Sequence, residues 1–324
     1  MNNKNLQPYI WILISGFAFS WMATLAPLAG KGCGWQAVAI VRCLVPLILI
    51  SAWASWDGVQ LVFFGSPVLW MRSLAGSCSL VGSFYAFAHL PLTDIYAICN
   101  IFPIWVALLS WPMLGRFPSG AVWLSIFCSI IGVALLQGRE INAGNLTALV
   151  VVGVSIFTAL AMMGLNQLKD LDPRAVVVHF SATALIFSVA SLVFFPLETT
   201  EEAFSAVHLA ELLGVGVTAS IGQYFLTRAF TAGDPARMSV ATLSQFVFIL
   251  VLDVFVLGNP LEPIKLWGIP LVLGPTLWLM SQRIQEPSAI ADNDAEDPTN
   301  PSVDEEPEAD WAMQAEPVGS NESK

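Results

Sequence analysis

The stretch AFAHLPLTDIYAICNIFPIWVALL, residues 86–109, decides how this chain is read. It is almost wholly apolar, yet HLPLTD interrupts it early, and Asn100 and Pro103 lie inside its long apolar run. A comparable segment returns at residues 229–252 as AFTAGDPARMSVATLSQFVFILVL. Proline removes a backbone donor and bends a helix. The segment therefore reads either as a cavity-lining helix with a freed carbonyl, or as a packed bend whose Asn100 bonds to a neighbouring helix.

The composition says what surrounds it. Of 324 residues, 56% are hydrophobic and 11% charged, with a mean hydropathy of +0.70. A soluble chain carries about a quarter charged residues, so this one belongs to the membrane class. The net charge of −11 is misleading. Residues 285–324 hold twelve acids against the single base Lys324, while residues 1–284 carry twelve of each sign. That acidic, proline-rich tail has too little apolar surface to offset its ordering entropy and reads as disordered. The five cysteines show no CxxC spacing and the three histidines no ligand spacing, so no metal site or other cofactor is expected.

About twenty apolar residues cross a bilayer core as a helix. Ten such segments are expected: 9–28, 36–55, 67–88, 92–113, 119–138, 146–166, 175–196, 209–230, 236–257 and 264–282. With the N-terminus inside, Lys4, Arg72, Arg116, Lys169, Arg174, Arg228, Arg237 and Arg283 lie at or near the cytoplasmic side, and Lys31, Arg139 and Lys265 outside. This bias predicts both termini in the cytoplasm and a cell (inner) membrane location.

Aligned at a constant offset of 143, Ala86–Phe87 meets Ala229–Phe230, Phe102–Pro103 meets Gln245–Phe246, and Leu114–Gly115 meets Leu257–Gly258. The offset carries spans 1–5 onto spans 6–10. Five is odd, so the second copy enters the membrane from the opposite side. The expected fold is an all-α integral membrane protein of ten transmembrane helices in two inverted five-helix repeats, 1–142 and 143–284, followed by the tail 285–324. Transporters built this way hold their sites near the midplane, between the repeats.

Candidate cavity residues follow from polarity at depth. Arg42, about six residues into its span, is expensive in hydrocarbon and is a functional candidate. Tyr96, Asn100 and Pro103 share one helix face. Ser220, Gln223, Tyr224 and Thr227 form a second polar cluster, and Ser239, Thr242 and Gln245 a third. Ser and Thr also bond within their own turn, whereas an amide has two ends to satisfy. Trp21 is a candidate aromatic wall, while Trp35, Trp56, Trp70 and Trp267 read as interfacial anchors. Gly120, Gly132, Gly268 and Gly274 mark close helix contact, at a seam between repeats or at a homodimer face.

The segments AIVRCLVPLILI, RSLAGSCSLVGSFYAFAHLPLTDIYAI and FPIWVALLSWPMLG resemble the EamA-type family of the drug/metabolite transporter superfamily, over residues 10–282. Arg42, Arg72 and Pro103 match the family pattern. Arg116 and Asn259 stand where members often carry a Glu. The resemblance implies two inverted halves, alternating access to a central cavity, and export or exchange of small metabolites.

The function expected is a secondary transporter of a small polar metabolite, amino acid-like or carboxylate-bearing, and not an enzyme. No GxxxxGK[ST] occurs, so transport runs on a gradient or by exchange. One deep Arg and no deep Lys disfavour sugar phosphates. The expected partners are the lipid bilayer and the substrate, with no nucleic acid. A membrane sensor or scaffold acting through its acidic tail is the alternative.

Overall fold

Helix α1 runs Asn3–Trp56, 54 residues, in the computed structural model of the chain. At 1.5 Å per residue it would be about 80 Å long, far beyond a bilayer core of about 30 Å. It is not straight: Gly34 has φ 76° and ψ 156°, a non-helical conformation that needs glycine. The direction of the two limbs follows from their contacts with one later helix, α7 (Ala206–Ala232). Ser15 donates to the Gly222 carbonyl at 2.8 Å, and Leu25 lies against Gly214. On the other limb Val45 lies against Gly216, and Trp53 packs on Tyr224. One limb therefore runs antiparallel to α7 and the other parallel. The segment is a hairpin folded at Gly34, as the separate spans 9–28 and 36–55 require.

The structure describes residues 3–89, 99–137, 146–195 and 205–282. After α1 come α2 (Pro67–His89), α3 (Phe102–Leu114), α4 (Gly120–Gln137), α5 (Leu146–Asn166), α6 (Pro173–Phe194), α7, α8 (Pro235–Thr242), α9 (Gln245–Phe255) and α10 (Lys265–Ser281). Every regular element among the described residues is a helix, and several are apolar enough to cross a membrane. Residues 1–283 pack as one unit. The expected tail, 285–324, lies outside the described residues.

Small residues let the helices approach closely. A Cβ on Gly222 would stand 2.8 Å from Phe19, and one on Gly268 2.6 Å from the Gly132 carbonyl. Gly132 and Gly268 thus form an intramolecular seam between α4 and α10. Gly120 and Gly274 have open space around them instead. Across the molecule α2 packs on α5 and α6, while α7 packs on the two limbs of α1.

Two helices, α3 and α9, open after a turn, and the two turns correspond. Asn100 and Ile101 form a turn before α3 opens at Phe102. Leu243 and Ser244 form a turn before α9 opens at Gln245, 143 residues later. At both turns short i→i−3 bonds replace part of the helical ladder: Ile104 N–H to Ile101 O at 2.9 Å, and Leu243 N–H to Val240 O at 3.0 Å. Pro103 is tolerated because it falls in the first turn of α3, where a missing N–H has no intrahelical partner. The far ends also match. Gly115 (φ 65°) and Gly258 (φ 70°) are left-handed, and in each case the next residue bonds to the carbonyl six positions back. Arg116 N–H reaches Ser110 O at 3.4 Å, and Asn259 N–H reaches Asp253 O at 3.2 Å.

Candidate functional site

Both turns border one cavity of about 850 Å³. Asn100 and Phe102 come from the first, and Leu243, Gln245 and Phe246 from the second. The α1 hairpin supplies Arg42 and, near its bend, Lys31 and Trp35. Gln223 enters from α7. Its size suits an organic ligand larger than a single small ion, which sites of about 300–1,000 Å³ accommodate.

The lining is basic. Lys31, Arg42 and Arg72 contribute cations, and no acid occurs among the described lining residues. The Arg42 guanidinium lies 5.9 Å from the Phe19 ring and 5.9 Å from the Phe84 ring. Its Nε donates to Met22 Sδ at 3.2 Å. Arg72 is 2% exposed and sits 4.4 Å above the Phe180 ring. An aromatic face attracts a guanidinium and leaves its N–H edge free, but it does not cancel the charge.

Three buried polar atoms at the cavity have no hydrogen-bond partner among the described residues: Arg72 Nε, Asn100 Nδ2 and Gln223 Nε2. All three are donors. Buried donors are rarely left unpaired, and an orphan of this kind is where a ligand oxygen or a water fits. The hydroxyls on the same helices behave differently. Ser220 donates to Gly216 O, Thr227 to Gln223 O, Ser239 to Ala236 O and Thr242 to Met238 O. They are satisfied within their own turns, so the polar clusters reduce to Gln223 on α7 and Gln245 at the start of α9.

Of the residues singled out by sequence, Arg42, Asn100, Gln223 and Gln245 come together on this wall. Tyr96 lies outside the described residues. Tyr224 does not join them. It follows Gln223 by one residue, about 100° around the helix, and its ring packs 4.9 Å from Trp53. Trp21 is half-buried and outside the lining for the same reason, since its neighbour Met22 takes the cavity side. Trp35, read as an interfacial anchor, instead stands on the wall near Tyr85 and Phe195.

The largest correction is Arg72. Its charge was assigned to the cytoplasmic side at the opening of its span, whereas the side chain is buried and lines the cavity. A signal existed: Arg72 stands five residues beyond Pro67, nearly as deep in its segment as Arg42. The count of a single deep Arg fails with it, and so does the ground for disfavouring sugar phosphates.

At the end of the bundle away from Lys31, side chains link the helices to one another. Arg174 pairs with Asp57 and with Asp172, the latter at 3.0 Å, and lies 4.9 Å from the Trp53 ring. Arg228 covers the Trp11 ring at 4.1 Å. Asn166 donates to the Phe230 and Gly233 carbonyls at 3.1 and 2.8 Å, and Tyr9 reaches Leu279 O at 3.3 Å. The Arg174 hydrogen bond holds the Asp172 carboxyl below the usual carboxylate range.

A helical membrane protein with a basic cavity bordered by corresponding turns at Asn100–Ile101 and Leu243–Ser244 has features of a solute carrier. Comparison with known proteins agrees. Residues 145–281 match the EamA-like transporter family. A pseudopaline exporter, CntI, of Pseudomonas aeruginosa (strain UCBPP-PA14) is 30% identical over 242 residues, covering 73% of this chain and 82% of the relative. The chain belongs to the EamA-like transporter family. A transporter of uncharacterized function from Helicobacter pylori (strain ATCC 700392 / 26695) is 23% identical, over 84% of this chain and 94% of its own length. A solved crystal structure superposes with a TM-score of 0.71 at 15% identity, covering 84% of this chain and 95% of the other, a likeness of fold alone.

Proposed function

We propose that the chain is a secondary transporter that moves a small, polar, carboxylate-bearing metabolite across the cell membrane by alternating access. The observation that carries this reading is a cavity whose described lining residues include no acid, where Arg42 and amide donors without a described partner face the space an anionic oxygen ligand would fill. A guanidinium holds a carboxylate by two parallel hydrogen bonds, a geometry that fits one end of an amino acid-like substrate. The name of the Pseudomonas relative, an exporter, supports outward movement.

Two inverted five-helix halves are supported by agreement at an offset of 143: the turns at Asn100–Ile101 and Leu243–Ser244, and the left-handed Gly115 and Gly258. The exchange of partners supports it too, since α2 packs on α5 and α6 much as α7 packs on the two limbs of α1. Such halves rock about a midplane site. The Arg174–Asp57–Trp53 cluster then acts as the inner closure and the hairpin bend at Gly34 borders the outer mouth.

Counterflow in liposomes tests the reading. Purified protein, preloaded with a mixed pool of amino acids and carboxylic acids, should accumulate a labelled member of that pool without ATP. Equal signals in protein-containing and empty liposomes across the pool would refute it.

A further inference from the structure

We propose that the cavity contains a second anion subsite, built on Arg72, so that the transported ligand carries two carboxylates rather than one. This rests on the carboxylate-carrier reading above and narrows it.

Arg72 is as much a part of the cavity as Arg42, and it is the less accounted for. It is 2% exposed, its Nε has no hydrogen-bond partner among the described residues, and its guanidinium lies over the Phe180 ring. None of the described acids lines the cavity: Asp57 and Asp172 pair with Arg174, Glu211 with His208 and Glu262 with Lys265, while Asp234 caps α8 and Asp253 accepts from Asn259. The room for its fork is made by glycine, because a Cβ on Gly76 would collide with Arg72 Nη1. Gly164 lies against the base of the same side chain. The Arg72 and Arg42 charges repel each other. A ligand with one carboxylate neutralises one guanidinium and leaves the other buried and unpaired, which is the costly state. A ligand with two neutralises both. The orphan donors fit the same chemistry, since Asn100 Nδ2 and Gln223 Nε2 add N–H groups and call for further ligand oxygens. A volume of about 850 Å³ leaves space for two separated carboxylates.

The same pair of guanidiniums could instead clasp one doubly charged phosphate, so the test separates the two. Binding of succinate, glutarate, adipate, butyrate and inorganic phosphate to the purified full-length protein is measured by calorimetry. At least one dicarboxylate should bind about tenfold or more tighter than butyrate, the difference one charge-assisted contact supplies. Arg72→Gln should bring that dicarboxylate down to the butyrate level while leaving butyrate nearly unchanged. If Arg72→Gln does not elute as a folded protein, Arg72→Lys carries the test. It keeps the charge, loses the bidentate fork, and should shrink the dicarboxylate advantage. A ratio unmoved by these variants overturns the proposal. Phosphate binding more tightly than every dicarboxylate, and lost with Arg72, overturns it in favour of a single dianion. Equal binding of butyrate and dicarboxylates removes the second subsite but leaves the carboxylate carrier standing. Binding of none of the carboxylates removes both.

Discussion

Replacing Arg42 by leucine should abolish transport and leave the fold intact, and the structure sets both magnitudes. Removing one partner of a buried ion pair costs about 3–5 kcal/mol, because the other charge is left uncompensated. Arg42 has no acidic partner among the described residues; its contacts are Met22 Sδ at 3.2 Å and two phenylalanine rings at 5.9 Å. Cation–π contacts are worth about 0.5–2 kcal/mol, and burial of the cation offsets them. Arg42→Leu therefore leaves nothing charged behind, and its thermal stability should stay within about 1 kcal/mol of the native protein. The ligand loses two charge-assisted hydrogen bonds of about 1.5–3 kcal/mol each, so affinity should fall about 100-fold or more. Arg42→Lys retains a point charge without the fork and should fall between the two. Counterflow in liposomes reads the transport, and unfolding in detergent reads the fold. Native flux in Arg42→Leu would refute the anion-holding role. Loss of flux together with a collapsed melting temperature would show that Arg42 is structural.

Gly268→Ala places a Cβ 2.6 Å from the Gly132 carbonyl and should lower stability by about 1–3 kcal/mol, whereas Gly274→Ala, in open space, should be near neutral; thermal unfolding of the two variants compares them. The Asp172 carboxyl has a lowered pKa in the folded protein, chiefly through the Arg174 hydrogen bond, so its contribution is full above the unfolded carboxylate value of about 3.9 and is lost as pH falls through the lower folded value. Native protein should thus lose melting temperature below about pH 4 more steeply than Asp172→Asn, and parallel curves would contradict this. Truncation after Gln285 should preserve counterflow, because the transport residues lie in 1–284; loss of flux on truncation would favour a role for the acidic tail in the function.

Much was legible in the chain before any coordinates. Hydropathy alone requires helices, because a backbone in lipid has no water to bond and must satisfy itself locally. The matching helix ends were legible as well, since the left-handed caps at Gly115 and Gly258 need residues that tolerate that conformation, and LG recurs at both places. Arg42, Asn100, Gln223 and Gln245 were legible as polar groups too deep to be incidental. What the sequence could not supply was direction around a helix and across the bundle. Tyr224 and Gln223 are adjacent in the chain but face different neighbours, and that is set by the packing of α7 against the α1 hairpin. The hydroxyl clusters looked equal to the amides until their own turns were seen to satisfy them. Arg72 looked like the basic edge of a span, because charge counting registers where a residue enters the chain and not where its long side chain ends. Bringing Arg42 and Arg72 to one cavity depends on α1, α2 and α6 packing together with Phe180 between the elements, a long-range arrangement that no local pattern records.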